Sequence, residues 1–231
     1  MSRARLVAAL LVATSQAAAV AAQGTSIVMQ RNSEPGDAGE VLVFVGEQLS
    51  YEPLDISCDG CLIFDSWHTA RYRVVEGIHG VRPGEELEFA VAEHAILIPF
   101  GHSRFALAFV ERRGDQLTLI KYQQVPVYPT RDLSFASCGP LGGGPKDLSE
   151  PLDPRGPELR DVLFSPKLVV DDTHRMSALG RKTAYDPRWH EVDGNEVVWR
   201  RGIPVADLVS ALVRDDDVLK AALPELAGAA R

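Results

Sequence analysis

Whatever this chain folds into must bury both faces of one short run. Val41-Leu42-Val43-Phe44-Val45 has no polar position and stops at Gly46. Five consecutive apolar residues suit a strand covered on both sides. The segments that follow alternate instead. In "TARYRVVEG", Ala70, Tyr72 and Val74 oppose Thr69, Arg71 and Arg73. In "EELEFAVA", Leu87, Phe89 and Val91 oppose Glu86, Glu88 and Ala90. Side chains alternate across a strand, so these two predict half-buried strands with one wet face. "VRPGEE" between them predicts a turn, because Pro83 fixes φ and Gly84 permits positive φ. "RFALAFVERRGDQLTLIKYQQVPV" predicts a hairpin. Phe105, Leu107 and Phe109 line one face, small apolar residues line the other, Arg113-Gly114-Asp115 turns, and Leu117 to Tyr122 returns. Some five antiparallel strands in about 90 residues predict a mainly β (α+β) fold, a small OB-like antiparallel barrel spanning residues 40–128.

The composition shifts after Pro126. Five of the fifteen prolines lie between Pro140 and Pro157, and Gly142 to Gly144 are consecutive. Residues 129–160 therefore read as a Pro/Gly-rich connector. A C-terminal extension, 161–231, is expected to hold one strand within Val162 to Val170, another at Glu196 to Trp199, and terminal helices. Val205, Leu208, Val209 and Leu212 recur at helical spacing, with Pro204 suited to the first turn. Asp215 to Asp217 interrupt and cap a short last helix, Val218 to Leu223, stopped by Pro224.

The N-terminus reads as an export signal. Arg3 and Arg5 precede the apolar stretch Leu6 to Ala13 and the Ala-rich Ala17 to Ala22, with cleavage expected after Ala21 or Ala22. The apolar run is short for a membrane span and is broken by Thr14, Ser15 and Gln16. Residues 1–22 are thus expected to be removed, leaving no membrane span and a periplasmic or extracellular protein. Residues 23–39, rich in Gly, Ser, Asn and Pro, read as a flexible arm. The formal net charge is −8, and losing two arginines takes it to −10. An acidic chain without a basic cluster is a poor nucleic-acid binder.

The segments "VLVFVGEQLS", "ARYRVVEGIHG...GEELEFAVAEH" and "FALAFVERRGDQLTLIKY" resemble netrin-like domains, the secreted OB-type barrels of the tissue inhibitors of metalloproteinases. The order is a strand with a trailing glycine, a long alternating strand, a short polar strand, and a hairpin before a cysteine-containing tail. The resemblance spans Val41 to about Tyr128 and implies a small barrel that binds a ligand or serves structurally. The whole chain also resembles exported bacterial proteins of this layout. Inhibitors in the netrin-like family chelate zinc through a mature N-terminal cysteine. Here no cysteine precedes Cys58, so that route is not implied.

"SCDGCLIFDSWH" concentrates the remaining candidate chemistry. Cys58 and Cys61 have C-x-x-C spacing, but strand-like flanks and the intervening Asp59 argue against a low-pKa redox thiol. A structural zinc site wants two ligand pairs, and only one is present. Asp59-Gly60 is a favoured hairpin-turn pair, so a stapled turn fits best. A Cys58–Cys61 bond closes a short loop, worth about 2 kcal/mol. Joining either cysteine to Cys138 closes roughly 80 residues, worth about 4.5 kcal/mol. Both pairings remain open, and each leaves one thiol over. "EHAILIPFGH" places Glu93, His94 and His102 together, and with His79 they form a candidate imidazole–carboxylate metal site. The other reading is scattered surface or satisfied core residues. No G-x-S-x-G, S-x-x-K or P-loop spacing occurs. Trp189, in polar surroundings, is either an exposed binding aromatic or a seal between the C-terminal region and the barrel.

The expectation is an exported, non-catalytic binding or structural module without a cofactor, with a protein or small-molecule partner in the cell envelope. The alternative is a metal-binding protein or metal-dependent enzyme using the His79/His94/His102 region. Native mass spectrometry of protein alkylated at lysis separates them. The non-catalytic barrel should carry no metal, one alkylated thiol, and a mass two protons light. One metal per chain would reverse the assignment.

Overall fold

The computed structural model describes residues 39–54, 65–93, 103–139, 156–170 and 176–227. The signal region, all of the arm but Gly39, Cys58, Cys61, His94, His102 and Gly142 to Gly144 lie outside these residues. Ala38–Arg231 forms one compact unit.

Five strands make a closed barrel: β1 (Glu40–Pro53), β2 (Ser66–His79), β3 (Glu86–Glu93), β4 (Phe105–Arg113) and β5 (Gln116–Pro126). They close in the order β1-β2-β3-β5-β4, an OB-like arrangement. β1 pairs antiparallel with both β2 and β4. Bulges at Val43/Phe44, Val45/Gly46 and Gln48/Ser50 add the local twist that lets one long strand serve two neighbours. Closure between β3 and β5 is parallel and rests on a single register pair, Ala90 with Thr118.

The alternation read from sequence sorts the side chains as expected. Leu42, Phe44, Tyr72, Phe89 and Val91 fill the lumen. Ala106 and Ala108 of β4 face them and leave room for the aromatic rings. Tyr72 stacks on Phe89 at 5.6 Å, and Phe44 meets Phe89 edge-on at 6.3 Å. Gly46 is required here, because a Cβ would lie 2.9 Å from both the Phe44 and Tyr72 rings. The outer face carries a charge ladder. Arg71 and Arg73 both reach Glu86, and Arg73 and Arg104 both reach Glu47. Such exposed pairs contribute little stability individually.

The second face of β1 explains the C-terminus. Val41, Val43, Val45, Leu107 and Phe109 form one buried cluster with residues of two helices, α2 (Val205–Asp215) and α3 (Asp217–Ala222). Leu208, Val213 and Leu219 are fully buried within it. Asp207 in the first turn of α2 and Arg214 in its last complement the helix dipole. Asp216 then does two jobs. Its Oδ1 accepts the Val218 and Leu219 N–H groups, capping α3, and its Oδ2 accepts the Gln123 amide from β5 at 3.0 Å.

Short paired segments link barrel and helices. β6 (Tyr128–Pro129) pairs with β7 (Phe135–Ala136), and β8 (Arg160–Asp161) with β11 (Arg201–Gly202). β9 (His190–Asp193) pairs with β10 (Glu196–Trp199), and α1 spans Ala178–Ala184. The described part of the connector is thus partly ordered in ladders. The strand expected within Val162 to Val170 reduces to isolated bridges at Phe164 and Val169, because Pro166 offers no N–H to a ladder. Gly139, at φ +69°, lies under Trp199, where a Cβ would come 2.6 Å from the ring.

Leu208→Ala should lower stability by about 2–5 kcal/mol, because it opens a cavity between helix and barrel. Chemical denaturation measures this, and a loss under 1 kcal/mol would mean that α2 is not held on β1 and β4.

Candidate binding site at the polar end of the barrel

Lumen positions become polar toward one end. The inward series Ala70–Tyr72–Val74 on β2 runs back to His68, and Leu87–Phe89–Val91 on β3 runs on to Glu93. Glu93 is only 3% exposed. β1 contributes Gln48 and Tyr51, and β5 contributes Gln124, 6% exposed.

A hydrogen-bonded chain crosses the lumen. Gln124 Nε2 donates to the Tyr72 hydroxyl at 2.9 Å, and that hydroxyl donates to Gln48 Oε1 at 2.9 Å. The Tyr51 and His68 rings stack at 4.6 Å. β5 carries an irregularity opposite Ala108 to Val110, and within it Tyr122 takes φ +63°. A non-glycine residue seldom adopts this left-handed conformation. It turns the Tyr122 N–H onto Glu93 Oε1, 3.1 Å away. The Tyr122 ring is 61% exposed, with the Lys121 ammonium 5.4 Å from its centroid. Lys121 itself binds both oxygens of Asp65, at 2.7 and 2.8 Å.

One acceptor remains unused in this cluster. Gln124 Oε1 is buried with no hydrogen-bond partner, and so is His68 Nδ1, a ring nitrogen that donates or accepts according to its tautomer. Each such group costs about 1–3 kcal/mol of desolvation unless a hydrogen bond offsets it. Burial shifts the titratable members toward their neutral forms. It pushes the Tyr51 hydroxyl up, with the nearby Glu93 charge adding to the effect. It pushes Tyr72 up against the opposing Gln124 hydrogen bond. It lowers His68, with the Ser66 backbone opposing. It raises Glu93, with the Tyr122 N–H and Lys121 opposing and Asp65 reinforcing.

Of the four residues expected to bind metal, His94 and His102 lie outside the described residues, and the described pair His79 and Glu93 do not meet. His79 ends β2, with its Nδ1 3.3 Å from Glu225, whereas Glu93 pairs with Ser66 at the opposite end of that 14-residue strand. Roughly 30–40 Å of chain separates them. Among the described residues no three His, Cys, Asp or Glu side chains group as metal ligands. Cys138 is a free thiol, half-buried, and burial raises its pKa against a Tyr128 hydrogen bond. Trp189 is buried rather than exposed, and its ring contacts are Arg188 and His190, its neighbours in the chain. It belongs to an aromatic group in which His190 lies 4.1 Å from Trp199 and hydrogen-bonds the Asp186 carbonyl. A cleft of about 140 Å³ beside Trp199 is bordered by Lys167, which already pairs with Asp193 and Glu196.

Tyr51, Tyr72, Gln48 and Gln124 escape a sequence reading. His68 and Glu93 carry a usable signal, since each extends an apolar inward series by one step with a polar side chain. Gln124 does not, because the irregularity in β5 resets the alternation before it. Comparison with protein-family models, curated proteins and solved structures finds no match to this chain.

Glu93→Gln tests the electrostatics, because Gln keeps an oxygen for the Tyr122 N–H. A carboxyl raised by burial favours the folded state while protonated. That stability is present below its ordinary value of 4.5 and is lost as pH rises through the folded value. The variant should melt a few degrees higher near neutral pH and lack this decline. Scanning calorimetry across acid to neutral pH measures it, and parallel profiles for the two proteins would refute the assignment.

Proposed function

We propose that the protein is an exported, non-catalytic binding module of the cell envelope, with its ligand seated at the polar end of the barrel. One observation carries the reading: buried polar atoms of Gln124 and His68 lie unpaired in an otherwise well-filled lumen. A ligand that supplies hydrogen bonds would offset their desolvation. Burial favours the neutral, hydrogen-bonding forms of Tyr51, Tyr72, His68 and Glu93. The basic and apolar leader supports export to the periplasm or beyond. A netrin-like kinship on the quoted segments fits the same picture of a secreted barrel.

Thermal shifts of the leaderless protein test the proposal against amines, polyols, sugars, amino acids and divalent metals. A ligand at 100 times its Kd adds about 2.7 kcal/mol, several degrees in Tm for a chain of this size. One organic class should stabilise, and Gln124→Met should abolish the shift while the protein stays folded. Stabilisation by a divalent metal alone would favour the metal-binding alternative. No shift with any class would overturn the proposal.

A further inference from the structure

The acceptors at the polar end specify what they would accept. Gln124 Oε1 has no partner, and the Glu93 carboxylate spends one bond on the Tyr122 N–H. Ionised carboxylates only accept, and two oxygens offer about four lone-pair positions. The cluster is contiguous. Gln124 bonds Tyr72, Tyr51 stacks on His68, Tyr51 feels the charge of Glu93, and Tyr72 lies within electrostatic reach of Tyr51.

Charge narrows the choice. Lys121 is the nearby cation, and Asp65 holds it with two hydrogen bonds. Asp65 thus occupies Lys121, and among the described residues no cation pairs with Glu93. An anion would meet Glu93 and Asp65. A neutral polyol would satisfy the acceptors but leave the Glu93 charge buried without a counter-ion. An ammonium group brings three N–H donors, no acceptor and one positive charge. Resting on the binding reading above, we propose that this end of the barrel binds a primary ammonium group. The group could belong to a free amine or to a lysine side chain of a partner protein. Binding then couples to protonation. The groups facing Glu93 are Tyr51 on β1, His68 on β2, Asp65 just before it, and Lys121 and the Tyr122 backbone on β5. Acid protonates Glu93 and weakens its hold on a cation.

The test is calorimetric titration of the leaderless protein at fixed ionic strength. The probes are methylammonium, cadaverine, tetramethylammonium, a neutral polyol, and a lysine peptide acetylated at its α-amine. Methylammonium and cadaverine should bind, and tetramethylammonium, with the same charge but no N–H, should not. Affinity should fall at least tenfold in Glu93→Gln and in Gln124→Met, and should fall as pH drops through the Glu93 titration. The peptide binding more tightly than cadaverine identifies a partner's side chain as the source, and the reverse identifies a free amine. Equal binding of tetramethylammonium would overturn the inference, as would polyol binding unchanged in Glu93→Gln, though polyol binding leaves the binding module standing. No binding by any amine overturns the ammonium assignment, and silence across every ligand class overturns both.

Discussion

The fold depends on the need to cover Val41–Val45 twice. Leu42 and Phe44 face the lumen, while Val41, Val43 and Val45 face outward, and all five are buried. A barrel alone satisfies the first set. The second set needs another apolar layer, and α2 with α3 supplies it. Burying five such side chains on both faces contributes on the order of 10 kcal/mol. That is comparable with the whole net stability of a typical domain. The C-terminal region is therefore part of the barrel's own core rather than an appendage. Asp216 ties the two layers together by capping α3 while accepting the Gln123 amide of β5.

The lumen is graded from apolar to polar, and its aromatic middle sets that grading. Tyr72 spans the boundary. Its ring stacks on Phe89, and its hydroxyl joins Gln48 and Gln124. A phenylalanine there would fill the same space but take away the acceptor of the Gln124 amide. Gly46 permits this ring to sit where it does, since any side chain at that position would collide with Phe44 and Tyr72. Packing and site chemistry thus meet at one residue.

Sequence periodicity exposes the elements whose faces differ. β2, β3 and the hairpin follow from alternation, and α2 from a stripe at helical spacing. The Gly114-Asp115 turn follows from local chemistry, with Gly114 at φ +57°. The polar end of the barrel is less legible because irregular backbone builds it. The bulges in β1 place both Gln48 and Tyr51 at this end, and the irregularity around Tyr122 does the same for Gln124. Neither leaves a periodic trace. Proximity in sequence also misleads for His79 and Glu93. They look like neighbours across a turn, but a long strand running to that turn from the far end carries Glu93's partner away from His79.

The site and the closure of the barrel share one group. β3 and β5 meet through one register pair, Ala90 with Thr118, and through the Tyr122 N–H held by Glu93. The left-handed Tyr122 backbone persists because that acceptor holds it. An ionised Glu93 makes the stronger hydrogen bond but pays for its desolvation, whereas a protonated one escapes that cost and accepts more weakly. A counter-charge delivered to Glu93 keeps the strong bond and removes the penalty. Anything binding there must then tighten the β3–β5 seam, and anything loosening the seam must weaken binding by the same free energy, because linkage is reciprocal.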